Sequence, residues 1–438
     1  LNLTQGITAP EVSMKVKRAT AKAPGQGELF NIEQIAQIYK DNPDTPLDNQ
    51  TLYRMVATRV GLPNEALQER VPIGQSGQRH NLVRRQIRWI QQSLKQMNVL
   101  CRVKGERGIW RLTEDAKRDL NAAKPGVRVL GFRTDLGVAI LGRSGDIFKN
   151  LDQEVMLIVT SPPYAISKPR AYGNPPVKEI VSFIMETLEP LLEKLSPEGS
   201  LALNTSQDIF MPGSPARSTY LERLVIALED AGLSLMDRII WSNPSKAPGP
   251  IQWASKTRQQ LNVGWEPILW FARDPHRVKA DNRRVLEPHS PRHLKLIASG
   301  GEPREASYSD GAYRLRRGSF SSPTPGKIPR NVLTRGHRCG YGIEYKAAAE
   351  SLGLPVHGAG QPLSVADFLI RFLTEERDLV VDPFGGRLMT GLAADLLNRY
   401  WMCGEMMLQY IRGGAELFRD RPGFYLNPQI EHAFAQVC

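Results

Sequence analysis

The chain has 438 residues, 41% of them hydrophobic and 23% charged, with 57 Lys plus Arg against 45 Asp plus Glu and a formal net charge of +12. That composition sets aside a disordered or fibrous chain, and the length predicts two or three domains. No apolar run approaches 18 residues, which sets aside a membrane-spanning helix. Leu1, Asn2 and Leu3, followed by polar residues, lack the charged-then-apolar order of a secretion signal. Cys101, Cys339, Cys403 and Cys438 lie far apart without metal or redox spacing. These features predict a protein of the reducing cytoplasm.

The charge is spread unevenly. Residues 1–130 carry a net +9 and residues 246–345 a net +10, leaving −7 on the remainder. Two basic segments on a mildly acidic body predict a polyanion partner contacted in two places.

In chain order, residues 1–30 are polar, rich in Ala, Lys and Gly, and predict a flexible basic arm. Helical periodicity begins at Asn31, with Ile32, Ile35, Ile38 and Tyr39 at three-to-four spacing. A second helix fits Leu52 to Val60, with Gly61 as its stop. Leu82 to Leu100 predicts an amphipathic helix with Val83, Ile87, Ile90 and Leu94 on one face. Arg84, Arg85, Arg88 and Lys95 fall largely on the other face. Cys101 to Leu112 predicts a two-strand ribbon turning between Gly105 and Gly108, and Thr113-Glu-Asp-Ala opens a last helix. This order over residues 31–125 resembles a winged helix-turn-helix domain of the kind fused to restriction-related proteins. A helix of that kind fits the major groove while its ribbon reaches phosphates, so Arg84, Arg85, Arg88, Lys104 and Arg107 are candidate DNA contacts. A small packing or dimerisation domain has the same architecture.

From residue 131 to 438 short apolar strands alternate with helices, as in an α/β domain. Strands are predicted at Gly137–Leu141, Met156–Thr160, Ser200–Asn204, Asp237–Trp241, Pro267–Phe271, Asp378–Asp382 and Trp401–Gly404. Between Asn243 and Tyr345 the alternation lapses into basic, Pro- and Gly-rich sequence, a long irregular insert that predicts a function of its own.

Two motifs carry chemistry. Ser161-Pro162-Pro163-Tyr164 follows the strand ending at Thr160. Consecutive prolines fix φ and remove two N–H donors, leaving carbonyls free to accept, and the tyrosine adds a flat stacking surface. That suits a planar base whose exocyclic NH₂ must meet several acceptors. Such an amine is a poor nucleophile until its lone pair is drawn out of conjugation. Taken alone, the four residues could equally be a loop corner. The second motif is Asp378-Leu-Val-Val-Asp-Pro-Phe-Gly-Gly386, then a helix from Thr390 to Arg399 and Trp401-Met-Cys-Gly-Glu405. A strand ending in an acid, a glycine turn and a helix make a nucleotide-type cradle. Glu405, 23 residues beyond Asp382, stands where a carboxylate commonly takes ribose hydroxyls.

With the target-amine motif ahead of the cofactor motif, the chain resembles the β-class amino methyltransferases of DNA. Trp241-Ser-Asn-Pro-Ser-Lys246, Pro250-Ile-Gln-Trp253, Ile328-Pro-Arg-Asn-Val332 and Phe368 to Glu376 add to the likeness, which covers roughly residues 130–425. It implies a Rossmann-like methyltransferase fold that binds S-adenosylmethionine through Asp382, Phe384, Gly385, Gly386 and Glu405. Asp146 would meet the adenine ring, and Pro362 to Thr374 would pack near the methionine moiety. Ser161, Pro162, Pro163 and Tyr164 would hold a flipped base. Residues 246–345 would be the target-recognition region, with Lys246, Arg283, Arg284, Arg316 and Arg317 as further contacts to double-stranded DNA. A cognate restriction endonuclease acting on the same site is the other partner implied. The family prefers Ser at position 161 for cytosine N4 and Asp for adenine N6, so cytosine is expected.

One departure stands out. After the double glycine the family has a small polar residue and Thr-Thr, whereas this chain has Arg387-Leu388-Met389-Thr390. A bulky cation at the cofactor turn could weaken binding or point outward, and a DNA-binding regulator without turnover is the alternative it raises. Cytosine-C5 chemistry needs a cysteine nucleophile, which that class places after a proline; none of the four cysteines follows one. No metal is expected, because the seven histidines show no ligand pattern. His289 and His293 are four apart, but the intervening Ser290-Pro291 is expected to break the helix such a pair needs.

Overall fold

A computed structural model describes residues 32–431 apart from 44, 74–77, 97–98, 114–115, 117–121, 166–173, 245–251 and 359. The expected arm, most of the helix expected after Thr113, Lys246 and Pro250 lie outside the described residues.

The N-terminal unit is built from α1 (Ile32–Lys40), β1 (Leu47–Asp48), α2 (Asn49–Val60), the hairpin β2–β3 (Val71–Ile73 and Gln78–His80), α3 (Leu82–Gln96), β4 (Leu100–Arg102) and β5 (Ile109–Leu112). Asp48 starts α2 by accepting from the backbone N–H groups of Gln50 and Thr51 at 2.8 and 3.1 Å, and Gly61 ends it at φ +69°, which glycine adopts without strain. Strands pair in the order β1-β5-β4, so a small sheet and its ribbon close over three helices in the winged-helix manner. Val83, Ile87, Ile90 and Leu94 are buried as their spacing predicts. The helix stops at Gln96 rather than Leu100. Val99 and Leu100 are buried from a strand connection instead, and the continuing apolar pattern concealed the change.

The second unit is a ten-stranded sheet in the order β14-β10-β11-β9-β8-β15-β16-β7-β6-β17. Its strands are β6 (Arg128–Arg133), β7 (Gly137–Gly142), β8 (Val155–Thr160), β9 (Leu195–Asn204), β10 (Ser234–Ser242), β11 (Trp265–Ala272), β14 (Val332–Thr334), β15 (Leu379–Asp382), β16 (Tyr400–Glu405) and β17 (Tyr425–Leu426). The central run β9-β8-β15-β16-β7 is parallel, and antiparallel pairs flank it. Alternate residues face two cores: Leu157, Val159 and Val380 belong to one, Val155, Ile158 and Val381 to the other. Helices α9 (Leu363–Leu373), α10 (Met389–Leu396) and α11 (Leu408–Ala415) cover the first face, while α5 (Ile180–Leu192) and α6 (Tyr220–Asp230) cover the second. The result is a three-layer α/β methyltransferase-type fold, with the central strands buried on both faces.

The insert is less irregular than its composition suggested. It holds α7 (Pro291–Ala298), the hairpin β12–β13 (Ala306–Tyr308 and Tyr313–Leu315) and edge strand β14, which pairs parallel with β10. Ser290-Pro291 starts a helix instead of breaking one: Ser290 Oγ accepts from the His293 N–H at 3.2 Å and proline occupies the first turn. His289 precedes that helix and its Nε2 is engaged with Thr324, while the two imidazole centroids stand 4.7 Å apart.

Candidate active site

In open α/β sheets, ligands bind beyond the carboxyl ends of the strands where the chain order reverses. Here β8 leads to β9 on one side while β15 leads to β16 on the other, so the reversal lies between β8 and β15. A cavity of about 1480 Å³ opens there, lined by residues that follow β7, β8, β9, β15 and β16. That exceeds the roughly 300–1,000 Å³ of a single-ligand pocket and leaves room for two ligands side by side.

One part of the cavity is the acid-and-glycine cradle. Asp382 ends β15, 5% exposed, and its Oδ1 accepts from Thr160 Oγ1 at 2.6 Å and the Phe384 N–H at 3.0 Å. Burial pushes its carboxyl pKa up against those bonds. Glu405 ends β16 and braces the turn: its Oε2 accepts from the Gly386 N–H and its Oε1 from the Met407 N–H, both at 2.7 Å. Burial raises its pKa to about 7. A Cβ on Gly385 would stand 2.8 Å from Leu388 Cδ2 and 3.2 Å from the Gly404 carbonyl, and Gly386 has φ +51°. Only glycine suits such a turn. Asp146, on α4 (Ser144–Phe148), also lines the cavity and its Oδ2 accepts from the Gly126 N–H at 2.7 Å.

Thr374 is elsewhere. It is fully buried outside the cavity lining; its hydroxyl donates to the Ile370 carbonyl at 2.6 Å and accepts from Arg399 Nε at 3.1 Å, so it secures the end of α9 rather than meeting a ligand. No residue of the segment 362–374, expected near the methionine moiety, is in the cavity lining; Gly360 and Gln361, just before it, are.

The other part follows β8. Ser161, Pro162, Pro163 and Tyr164 all line the cavity. Tyr164 donates its hydroxyl proton to Glu266 Oε2 at 3.1 Å, because a carboxylate only accepts. The 3.2 Å contact between Ser161 Oγ and Tyr164 Oη must then be donated by the serine. Ser161 therefore turns only lone pairs to further partners. Burial, then the Glu266 charge, hold the Tyr164 pKa well above its ordinary value, which keeps the phenol protonated in its bond to the carboxylate. Asn204, at the end of β9 and 2% exposed, lines the same space with an Oδ1 that has no hydrogen-bond partner among the described residues.

Glu266 and Asn204 were not singled out from the sequence. A lone acid in the apolar run Trp265-Glu-Pro-Ile-Leu-Trp-Phe-Ala was the available signal for Glu266, but β11 reaches the site through sheet register, opposite β9 with Ile268 against Asn204. Trp241 and His337, ring centroids 6.2 Å apart and nearly parallel, also line the cavity.

Arg387 leaves the glycine turn intact. Its guanidinium Nη2 donates to the Gly360 carbonyl at 2.7 Å, while Gly386 keeps its bond to Glu405. Among the candidate DNA contacts, Arg85, Arg88, Lys104, Arg107, Arg283, Arg316 and Arg317 are exposed. Arg84 lies over the Tyr53 ring at 5.3 Å. Arg283 pairs with Asp281, and Arg284 is engaged with Glu375 and the carbonyls of Lys279 and Thr374, a tie within the fold.

A family model described as DNA methylase matches residues 155–416, spanning the Ser161 wall, the insert and the Asp382–Glu405 cradle. The chain belongs to the DNA methylase family. It is an amino methyltransferase of DNA, of the N4/N6 type. The type II methyltransferase M.PvuII of Proteus hauseri is 33% identical over 291 residues, 66% of this chain and 85% of that protein. M.BglII of Bacillus subtilis is 24% identical, over 62% of this chain and 65% of its own. The solved PvuII DNA methyltransferase, cytosine-N4-specific, superimposes with a TM-score of 0.52 at 29% identity, covering 69% of this chain and 92% of that one. Residues 34–122 match the Mrr N-terminal domain, so the methylase carries an added unit ahead of its sheet.

Proposed function

We propose that this methylase moves a methyl group from S-adenosylmethionine to the exocyclic N4 amine of a cytosine turned out of duplex DNA, within a short specific site. One observation carries the reading: the directed chain Ser161 to Tyr164 to Glu266 faces the same cavity as the Asp382–Glu405 cradle. An amine in a base pair is occupied and out of reach, so the base must leave the stack.

The residues present fit the donor. A turn with no room for a Cβ lets backbone approach the ligand, and Glu405 is a buried acceptor for ribose hydroxyls. Asp146 is the acid available to the adenine. When bound, the donor supplies a methyl group on a positively charged sulfur.

The chain's own groups prepare the amine. Ser161 Oγ, the proline-flanked carbonyls and the unpartnered Asn204 Oδ1 accept its hydrogens and favour a pyramidal nitrogen with an exposed lone pair. Tyr164, its hydroxyl held by Glu266, presents its ring for stacking. As the N–C bond forms and the S–C bond breaks, the nitrogen gains positive charge and sheds a proton. That proton passes to Ser161 as its own moves to Tyr164 and the tyrosine's to Glu266. The carboxylate is the terminal acceptor.

DNA would lie across two basic surfaces, the exposed cations of α3 and its ribbon (residues 31–125) and those of the insert (246–345), in a bacterial-type cytoplasm with an endonuclease of the same site as counterpart. Duplex DNA incubated with purified protein and methyl-labelled S-adenosylmethionine should carry the label in N4-methyldeoxycytidine after digestion. Label in N6-methyldeoxyadenosine would overturn the choice of base, and no transfer would overturn the reaction.

A further inference from the structure

Arg387 stands in the cofactor turn, immediately after the double glycine, and lines the cavity. Among the described residues its buried Nε has no hydrogen-bond partner and no acid pairs with it. Burial lowers its pKa, the expected response of a cation out of water with no counter-charge. The guanidinium is nevertheless held in place: Nη2 donates to the Gly360 carbonyl, and a Cβ on Gly360 would lie 2.2 Å from Nε, so the group rests flat on that glycine.

A second feature points the same way. Helix α8 (Gly340–Ser351) begins beside this group, since a Cβ on Gly342 would stand 3.5 Å from Arg387 Nη1. The first turn of a helix presents unsatisfied N–H groups and a positive dipole end, which favour an anion and oppose a cation. His357 sits across the turn, its Nε2 3.4 Å from a Cβ position on Gly386 and its ring edge-on to Tyr410 at 4.5 Å. Arg387, His357 and Gly360 meet at one corner of the cavity, and the start of α8 stands behind Arg387, outside the lining.

We infer that Arg387, held at this corner of the cavity beside the glycine turn, binds the α-carboxylate of the methyl donor. The inference rests on S-adenosylmethionine being the donor. It replaces the small polar residue of the family turn with a charge-assisted contact, and makes the departure at position 387 a gain in donor affinity rather than a defect. A DNA phosphate has the same anionic oxygens, and the test separates the two.

The full chain and its Arg387→Met variant are titrated calorimetrically with S-adenosylhomocysteine and with 5′-methylthioadenosine, which lacks the amino-acid end. The variant is expected to lose about ten- to a hundredfold in affinity for the first ligand, the worth of a hydrogen bond to a charged group, and less than about threefold for the second. Equal weakening of both would mean that Arg387 only ties the turn to Gly360, and would overturn the inference. Unchanged affinity for both, with the log-affinity slope for DNA against salt flatter by about one unit, would assign the cation to a phosphate and overturn it too. Wild-type protein that binds neither nucleoside would refute the donor itself. Should the Met variant fail to fold, Arg387→Lys answers the same question: a point charge replaces a planar fork, and S-adenosylhomocysteine alone should weaken.

Discussion

The buried carboxyl of Glu405 ties donor binding to pH. Its pKa is raised to about 7 by burial, although two backbone N–H groups hold the charged form. A shift from the ordinary value of 4.5 to about 7 corresponds to about 3 kcal/mol favouring the neutral form in the empty protein. The sign is fixed by the direction of the shift. Since the folded pKa is the higher one, this group costs nothing below about pH 4.5, and its full penalty is reached above about pH 7. In the ribose role proposed for it the carboxyl must accept, so donor binding is expected to draw on the ionised fraction, about nine-tenths at pH 8 and about one-tenth at pH 6. Affinity for S-adenosylhomocysteine should therefore fall about tenfold from pH 8 to pH 6. In Glu405→Gln it should be weak at both, a comparison that cancels the ligand's own titration. Calorimetry at pH 6, 7 and 8 reads this directly. A wild-type profile that runs parallel to that of the variant would refute the ribose role of Glu405.

Ser161→Ala should cut kcat by at least tenfold with DNA affinity nearly unchanged, because its contact strengthens only as nitrogen pyramidalises; single-turnover kinetics and a binding isotherm check both. Tyr164→Ala should cost about 1–3 kcal/mol in binding of the extruded base, and Tyr164→Phe should keep that stacking while slowing turnover, as the link to Glu266 is lost. Deleting residues 1–125 should flatten the log-affinity versus log-salt slope by several units, each lost phosphate contact contributing about 0.9, while methylation persists. An unchanged slope would assign the N-terminal unit to dimerisation or folding. Asp395→Ala should lower unfolding stability by about 3–5 kcal/mol in a urea titration, since this buried carboxylate accepts from Thr134, Trp401 and Arg421 at 2.6, 2.9 and 2.5 Å.

Strands were legible wherever both sides of the sheet are buried. Val155–Val159 and Leu379–Val381 are unbroken apolar runs followed within a few residues by a proline pair or a glycine turn, so both motifs are legible as strand ends. The pairing that joins them to Glu266 was not legible, because that acid lies 102 residues from Tyr164 and reaches it through an antiparallel strand whose register leaves no local mark. Thr374 shows the opposite error. A threonine at a helix end can bond back to the carbonyl four residues earlier, and this one does. In the insert the elements run to three residues in β12, β13 and β14, too short for periodicity to register. Ser290-Pro291 breaks a helix that comes before it or starts one that comes after it, and only the fold shows that the helix lies on the C-terminal side.

The most direct measurement is nucleoside mass spectrometry of DNA from a methylation-deficient host that expresses the full chain, beside hosts that express Ser161→Ala or Asp382→Ala. N4-methylcytosine is expected with the wild-type chain and should fall to background with either variant. N6-methyladenine in its place, or DNA without any modified base, would contradict the cytosine-N4 reading.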